Sequence, residues 1–322
     1  MQQRKLGATG LSVSALGFGC GAVGGLMVRA TAAEQTRAVA RALDLGITYF
    51  DTAADYGAGE SERALGRALR ELGASPVIGT KVRVPPGTAD IAGAVAAGLE
   101  ASLTRLGHDS VDLFQLHTPI AADFTATEVL EQVVPAMQRL RDHGKLRFWG
   151  ITAIGETAAL HEVVGSGQIH TAQVPYNLLN PSATTALPPG FPAQDMDGLM
   201  TRAQAQGVGV IGIRVLAAGA LSGEAWRHPL AAQNVAPIAS GSDYAADLVR
   251  ARSLLPLVQE GFATSLVEAA LRFAITTGAM SSVLIGLATL DQLEPAAAAV
   301  LKGPLPPAAI SRLAELHARW AA

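Results

Sequence analysis

Residues 46–82 read GITYFDTAADYGAGESERALGRALRELGASPVIGTKV and contain two short strand patterns separated by a helical one. The strand patterns are the runs Thr48–Thr52 and Pro76–Lys81, in which β-branched or aromatic residues recur. Between them, Gly59–Leu72 carries apolar residues at helical spacing and stops before Gly73. A strand, a helix and a second strand in this order form a βαβ unit, whose strands pair in parallel. This stretch therefore predicts a parallel α/β sheet.

The same alternation continues along the chain in both directions. Strands are predicted at Ser14–Gly19, Thr48–Thr52, Pro76–Lys81, Val111–His117, Leu146–Thr152, Thr171–Tyr176, Val208–Val215 and Ser282–Gly286. Helices are predicted at Ala32–Leu45, Gly59–Leu72, Ala89–Leu106, Ala126–His143, Thr157–Val164, Met196–Ala205, Ser265–Thr277 and Thr289–Leu301. Because no change of composition and no linker divides the 322 residues, we expect one domain over residues 1–322. The expected fold is a closed (β/α)8 TIM barrel rather than an open doubly wound sheet.

Three segments lie outside this repeat. Arg4–Val13, which contains the turn Gly7-Ala8-Thr9-Gly10, is expected to form an N-terminal β-hairpin across the bottom of the barrel. Ala308–Trp320 is expected to form an extra C-terminal helix. The loop Ala217–Thr264 after the seventh strand is far longer than ordinary connections, which predicts a functional segment that folds over a ligand.

Composition and charge exclude several classes of protein. Hydrophobic residues make up 49% of the chain and charged residues 16%, which indicates a folded protein. Lys and Arg total 24 against 27 for Asp and Glu, so no cationic excess is present for nucleic acid or a membrane surface. A single cysteine, Cys20, favours a reducing compartment. The N-terminus MQQRKLGATG has no apolar segment, and with no long apolar span elsewhere we expect a cytoplasmic protein without signal peptide or membrane helix.

Chemically useful side chains end three consecutive predicted strands. The second strand ends at Asp51, the third at Lys81 and the fourth at His117, and Tyr56 follows the second strand closely. In a (β/α)8 barrel the carboxyl ends of all strands meet at one rim, where the active sites lie. We therefore expect an acid, an amine, an imidazole and a phenol to converge there.

This combination suggests a tyrosine that exchanges protons. A lysine paired with Asp51 stays charged, and its charge beside Tyr56 favours the phenolate, which predicts a pKa lowered from about 10 toward neutrality. Tyr56 would then serve as a general acid or base. Taken singly, each residue has a structural alternative: Asp51 and Lys81 could form only a buried salt bridge, Tyr56 could be a packed aromatic and His117 a core histidine.

At these positions the chain resembles the aldo-keto reductases, whose signature includes D-T-A-x-x-Y-G, a strand-end T-K and L-x-H in that order. Asp51, Tyr56, Lys81 and His117 match the four catalytic positions of that signature. Further similarity lies in LGATGLSVSALGFG (6–19), SERALGRAL (61–69), VDLFQLH (111–117), QVPYNLLN (173–180) and GALSG (219–223). The resemblance implies reversible hydride transfer between a nicotinamide and a carbonyl (aldehyde, ketone or aldose), without a metal. It makes Tyr56 the proton donor, Lys81 and Asp51 its tuning pair and His117 the group that orients the carbonyl.

The resemblance also implies a cofactor site, with departures from the family pattern. Its implied residues are Thr152, Gln173, Arg214, Leu216, Gly219, Leu221, Ser222, Gly286 and Gln292. Thr152 is followed by Ala153 where many relatives have an amide, and Arg214 stands where an aromatic residue is usual. Ala288 replaces an arginine that reaches the 2′-phosphate of NADP in relatives. NADP(H) is expected to be slightly favoured over NAD(H), with weak discrimination between them.

Two other functions remain open at this point. The chain could be a cofactor-binding regulatory subunit that senses redox state, or a barrel isomerase or aldolase that uses Lys81 as a Schiff-base amine. Substrate contacts are expected from Val23–Met27, Pro119–Phe124 and Trp149, and from Trp226 and Tyr244 in the long loop, without naming a substrate beyond a small carbonyl or alcohol. Five other histidines are expected at the surface: His108, His143, His161, His170 and His228.

Overall fold

The computed structural model describes residues 1–320 and contains ten strands within them. The first two form the hairpin, β1 (Gln3–Lys5) and β2 (Ser12–Ser14). The remaining strands are β3 (Leu16–Gly19), β4 (Tyr49–Asp51), β5 (Val77–Val82), β6 (Val111–Leu116), β7 (Leu146–Thr152), β8 (Thr171–Pro175), β9 (Gly209–Ile213) and β10 (Met280–Gly286). All eight pair in parallel in chain order, and β10 closes on β3. The (β/α)8 barrel prediction is confirmed.

The helices surround the barrel. They are α1 (Leu26–Arg29), α2 (Ala32–Asp44), α3 (Glu60–Leu72), α4 (Ile91–Leu106), α5 (Ala126–Glu128), α6 (Val134–Asp142), α7 (Thr157–Gly165), α8 (Leu199–Ala205), α9 (Tyr244–Ser253), α10 (Pro256–Gln259), α11 (Leu266–Ala274), α12 (Leu293–Leu301) and α13 (Pro307–Ala318). Their boundaries follow from local chemistry. Thr31 and Glu34 form a capping box at the start of α2, and Gly73 ends α3 in the left-handed conformation that glycine adopts without steric cost.

The hairpin closes the amino-terminal end of the barrel, as the sequence predicts. Leu6, at the turn between β1 and β2, is fully buried and packs in one apolar cluster with Tyr49, Leu113 and Ile211 from three barrel strands. The backbone N–H of Ala8 donates to the carbonyl of Gly207, just before β9. This plug leaves the carboxyl-terminal rim as the open end of the barrel.

Two segments contain structure that the sequence analysis did not specify. The long loop after β9 is not irregular throughout: it begins with a 3-10 turn over Ala217–Ser222 and contains helices α9 and α10. The helix expected over Ala126–His143 is interrupted by a π-helical segment, Val129–Val133. Pro135 follows that segment and has no backbone N–H, so the regular ladder of helical hydrogen bonds cannot continue unbroken through it.

Candidate active site

The barrel brings the four predicted catalytic residues together at its open rim. Asp51 ends β4, Lys81 is the penultimate residue of β5, and His117 directly follows β6. The Lys81 ammonium contacts the Asp51 carboxylate and lies 3.4 Å from the Tyr56 hydroxyl. The rings of Tyr56 and His117 meet edge to face with centroids 5.7 Å apart.

The Asp51–Lys81 pair is buried and fully hydrogen-bonded. Asp51 also accepts from the Tyr49 hydroxyl at 2.8 Å and from Gln173 Nε2 at 2.6 Å, and Lys81 Nζ donates to the carbonyl of Thr52 at 2.8 Å. Burial alone lowers the pKa of Lys81, but Asp51 and Tyr56 outweigh it and raise that pKa above its usual range. A lysine held in this way stays protonated, which argues against a Schiff-base amine.

The prediction that the pKa of Tyr56 is lowered is wrong, because the net shift is upward. Burial raises the pKa of Tyr56 above its usual value, and the neighbouring Lys81 charge only partly opposes it. The sequence identified the charged neighbour but could not show how far the phenol is removed from water. A phenol with a raised pKa remains protonated at neutral pH and is a proton donor.

An acid that the sequence analysis did not single out pairs with His117. Asp55 Oδ1 lies 3.1 Å from His117 Nδ1, and Asp55 Oδ2 accepts from Arg83 Nε at 3.1 Å. Burial works to raise the pKa of Asp55, but its bonds to His117 and Arg83 bring that pKa far below its usual value. Burial lowers the pKa of His117, and Asp55 opposes this in part. The sequence feature that could have indicated this pair is the acidic residue Asp55 directly before Tyr56.

A cavity of about 430 Å³ lies between the ends of β9 and β10 and the long loop, and none of the four predicted catalytic residues is part of its described lining. Six of the nine predicted cofactor residues line it: Arg214, Leu216, Gly219, Ser222, Gly286 and Gln292. Several unpredicted residues do so too, among them Arg227, which follows the 3-10 turn in the chain. Tyr244 and Trp226, expected at the substrate mouth, also line this cavity.

Thr152 and Gln173, also predicted for the cofactor, lie away from the cavity lining on adjacent strands. They are register partners on β7 and β8, so their side chains point to the same side of the sheet. Thr152 Oγ1 is buried and has no hydrogen-bond partner among the described residues. An unpaired buried hydroxyl is costly, so this oxygen fits a ligand amide such as the nicotinamide carboxamide.

Leu221 is placed differently from the other predicted cofactor residues. Its side chain is fully buried in the main hydrophobic core, and its backbone N–H donates to the carbonyl of Leu216. It is not among the residues that line the cavity. Leu221 therefore anchors the 3-10 turn, of which it is part, to the hydrophobic core.

The turn after β9 holds an unusual backbone. Arg214, Ala217 and Ala218 all have positive φ angles, as does Gly219 at 105°. Non-glycine residues in this region store strain, which is concentrated at functional sites. At Gly219 a Cβ atom would lie 3.2 Å from the Arg227 guanidinium, so the absence of a side chain lets Arg227 pack directly against the turn. The Gly219 N–H donates to the carbonyl of Leu216 at 2.8 Å, and both Gly219 and Arg227 line the cavity.

The long loop folds over the cavity and is fastened by two arginines. Arg227 donates to the carbonyls of Ala218 at 2.8 Å and Ala232 at 2.6 Å. Arg29 donates to the carbonyl of Leu230 at 2.6 Å. The predicted covering role of this segment thus has a structural basis.

The turn after β10 carries Ala288 at the position where the family resemblance implies an arginine. Ala288 is buried and lines the cavity. Gln292 Oε1 accepts from the backbone N–H of Ala288 at 2.8 Å. The Gln292 side chain thereby caps the start of the short 3-10 turn Leu290–Gln292. Arg214 and Arg227 are the arginines of the described cavity lining.

Trp149 does not reach the site, contrary to expectation. It is buried against His170, with ring centroids 4.2 Å apart, and its indole N–H donates to the carbonyl of Gln168, which precedes β8. The prediction of a substrate contact from Trp149 is therefore wrong. His170, expected at the surface, is half-buried by the same contact.

Comparisons with known proteins agree with this geometry. A model of the aldo/keto reductase family matches residues 15–318. L-galactose dehydrogenase of Arabidopsis thaliana is 28% identical over 312 residues, covering 93% of this chain and 88% of that protein. L-glyceraldehyde 3-phosphate reductase of Escherichia coli K12 is 30% identical over 317 residues, covering 91% and 86%. The holo form of an aldo-keto reductase from Bacillus halodurans superposes with a TM-score of 0.73 and 25% identity, covering 98% and 96%.

The chain belongs to the aldo/keto reductase family and is an enzyme of its NAD(P)(H)-dependent oxidoreductase class. Among residues 1–320, no helix is both long and apolar enough to cross a bilayer. The same residues contain no group of three His, Cys, Asp or Glu side chains arranged to hold a metal ion.

Proposed function

We propose that the protein transfers a hydride between NAD(P)(H) and a small aldehyde, ketone or aldose, with Tyr56 as the general acid and base. The observation that carries this proposal is the buried Lys81 ammonium, which contacts Asp51 and lies 3.4 Å from the Tyr56 hydroxyl. A permanent positive charge at that distance stabilises the phenolate that forms when Tyr56 gives up its proton.

Each residue has a distinct part in the proposed reaction. A bound nicotinamide would supply or accept the hydride. Tyr56 donates its proton to the carbonyl oxygen in reduction and takes it back in oxidation, and Lys81 stabilises the phenolate in either direction. Asp51 keeps Lys81 charged, and His117 orients the substrate oxygen at the mouth. Preorganised charge of this kind needs no rearrangement during the reaction.

The cofactor is proposed to lie along the cavity, its carboxamide toward Thr152 and Gln173 and its pyrophosphate on the Gly219 turn. Arg214 takes the position beside the nicotinamide where relatives carry an aromatic residue. We retain NADP(H) as slightly favoured over NAD(H), and the whole chain as a single catalytic unit without a metal. Support comes from the buried Thr152 hydroxyl, which has no partner among the described residues, and from the Arg227 guanidinium that packs against Gly219 in the cavity wall.

The test is direct turnover. Purified protein mixed with NADPH or NADH and a reactive aldehyde such as a nitrobenzaldehyde should consume the reduced cofactor, and the alcohol with the oxidised cofactor should reverse the reaction. Cofactor binding is measured separately by fluorescence titration. Tight cofactor binding without turnover of any carbonyl would overturn the proposal and favour the regulatory-subunit alternative, which copurification with a stoichiometric partner chain would then support.

A further inference from the structure

A second cavity lies at the closed end of the barrel, away from the candidate active site. Its volume is about 570 Å³, which is within the range of cavities that bind small molecules. The hairpin strand β1 forms one wall, and the loops that precede β9 and β10 form the others. The cavity therefore lies at the amino-terminal ends of these strands, and the proposed reaction does not use it.

The lining of this cavity is positively charged and contains no acidic side chain among the described residues. Arg4 and Lys5 of β1 both line it. The Arg4 guanidinium bonds only to neutral groups within residues 1–320: it donates to the carbonyl of Met280 at 3.1 Å and to Gln2 Oε1 at 3.3 Å. Burial lowers the pKa of Arg4, and no carboxylate offsets this effect. Two cations without a counter-charge in one cavity attract a negatively charged ligand.

The cavity wall also carries a nearly buried hydroxyl at an irregularity in β10. Ser281 is an extra residue in this strand, because its two neighbours pair with consecutive residues of β9, Val210 and Ile211. An irregularity of this β-bulge type re-aims a side chain and is rare between parallel strands. Ser281 lines the cavity, is only 5% exposed, and its hydroxyl has no hydrogen-bond partner in the described part of the chain. A nearly buried hydroxyl of this kind is costly unless a ligand bonds to it.

Uncharged polar groups extend the lining beyond the two cations. Thr277 Oγ1 accepts from the backbone N–H of Ala279 at 3.3 Å, which leaves its own hydroxyl proton to donate. The Gln204 amide lines the same cavity and can both donate and accept. A cavity of this volume holds a small organic molecule rather than a single ion. The lining thus fits an anionic group attached to a body that carries hydroxyls.

We propose that this cavity is a second binding site, for a small organic phosphate of the sugar-phosphate class. A phosphate ester carries about 1.5 to 2 negative charges at pH 7 and three acceptor oxygens, which match Arg4, Lys5 and the Ser281 hydroxyl. A carboxylate brings a single charge and leaves one of the two cations unpaired. The sugar hydroxyls then bond to Thr277 and Gln204. The site is independent of the proposed function, because no residue of the candidate active site lines this cavity.

Titration calorimetry with glucose 1-phosphate tests whether the site exists. This ester has no free carbonyl, so the candidate active site cannot reduce it. We expect saturable binding to wild-type protein, with inorganic phosphate bound at least about 10-fold more weakly because it lacks the sugar hydroxyls. Absence of saturable binding would overturn the inference. Inorganic phosphate bound as tightly as the ester would overturn the assignment to sugar phosphates.

Three variants test whether the ligand lies in this cavity. Arg4→Gln and Lys5→Gln should each raise the dissociation constant at least about 10-fold, because a charge-assisted hydrogen bond is lost. Ser281→Ala should raise it about 3- to 10-fold through the loss of a neutral hydrogen bond. Arg37→Gln is the matched control, because it removes an exposed arginine on α2, and it should change the dissociation constant by less than about 2-fold.

The Lys5 variant guards against a loss of structure. Arg4 also bonds to Met280, so Arg4→Gln removes a contact between the hairpin and β10. Lys5 is exposed and its side chain makes no hydrogen bond within residues 1–320, so Lys5→Gln leaves the bonds of the fold intact. Denaturant unfolding of each variant shows that the protein titrated is folded. Unchanged binding in both folded variants would place the ligand elsewhere on the protein and overturn the inference.

Discussion

Lys81 and Tyr56 show how two opposed influences set the chemistry of a single proton. Burial raises the pKa of the Tyr56 hydroxyl, and the Lys81 ammonium at 3.4 Å lowers it by a smaller amount. The Tyr56 hydroxyl is therefore protonated in the resting site. The phenolate that forms when it loses this proton has the Lys81 ammonium as its partner. Such a group suits proton donation to a carbonyl at neutral pH.

This balance predicts a specific pH dependence. Reduction needs protonated Tyr56, and a raised pKa keeps that form dominant, so kcat/KM for reduction should stay level between about pH 7 and 9. Oxidation needs the phenolate, so its kcat/KM should rise about 10-fold per pH unit over the same range. Both profiles can be measured with one aldehyde and its alcohol. A fall in kcat/KM for reduction with an apparent pKa near 7 would show that the Lys81 charge lowers the Tyr56 pKa by more than burial raises it.

At the scale of elements, the turn after β9 is the part of the site most sensitive to backbone shape. Gly219→Ala would place a Cβ at a φ of 105° and 3.2 Å from Arg227. We expect cofactor affinity to fall at least about 10-fold, since the added Cβ would push Arg227 from its place in the cavity wall and add strain of about 1 kcal/mol or more. Gly223→Ala is the matched control, because its φ is also positive but a Cβ there would meet Leu266 in the core. Equal losses of affinity in the two variants would argue against a cofactor contact at Gly219.

The turn after β10 makes a second element-scale prediction. Ala288 lines the cavity wall at the position where the family resemblance implies an arginine, and an alanine side chain cannot bind a 2′-phosphate. We expect the dissociation constants of NADPH and NADH to differ by about 10-fold rather than 1,000-fold, and Ala288→Arg to shift the preference toward NADPH. Fluorescence titration with both cofactors measures this. A wild-type preference above about 1,000-fold would mean that other cations, with Arg227 the first candidate, bind the phosphate.

The positions of the elements explain which parts of the candidate site could be predicted from the sequence. Strand ends of a parallel barrel converge whatever the loops do, so Asp51, Lys81 and His117 could be placed at one rim from their positions alone. Arg227 could not, because its place over the cavity depends on how a long loop packs. Trp149 was misplaced because a residue near a strand end can face the helices instead of the barrel interior. Burial of Tyr56 and the pairing of Asp55 with His117 likewise depend on tertiary packing.

At the scale of the whole molecule, the hairpin that helps to stabilise the fold and the residues of the candidate active site lie at opposite ends of the barrel. Leu6 is buried in the hairpin plug at the closed end. Leu6→Ala should lower the free energy of unfolding by about 2 to 5 kcal/mol while leaving cofactor affinity unchanged. Denaturant unfolding and fluorescence titration on the same preparation provide both values. A parallel loss of cofactor affinity in folded protein would show that the two ends are coupled.

The central claim, that the rim of this barrel holds a tyrosine which exchanges the substrate proton, is tested most directly by Tyr56→Phe. The cofactor cavity is lined by residues of other elements, so the dissociation constant for the cofactor should stay within about 2-fold of wild type. Loss of a general acid should reduce kcat for carbonyl reduction by about 100- to 10,000-fold. A Tyr56→Phe enzyme that binds cofactor normally and keeps more than about a tenth of the wild-type kcat would contradict the account.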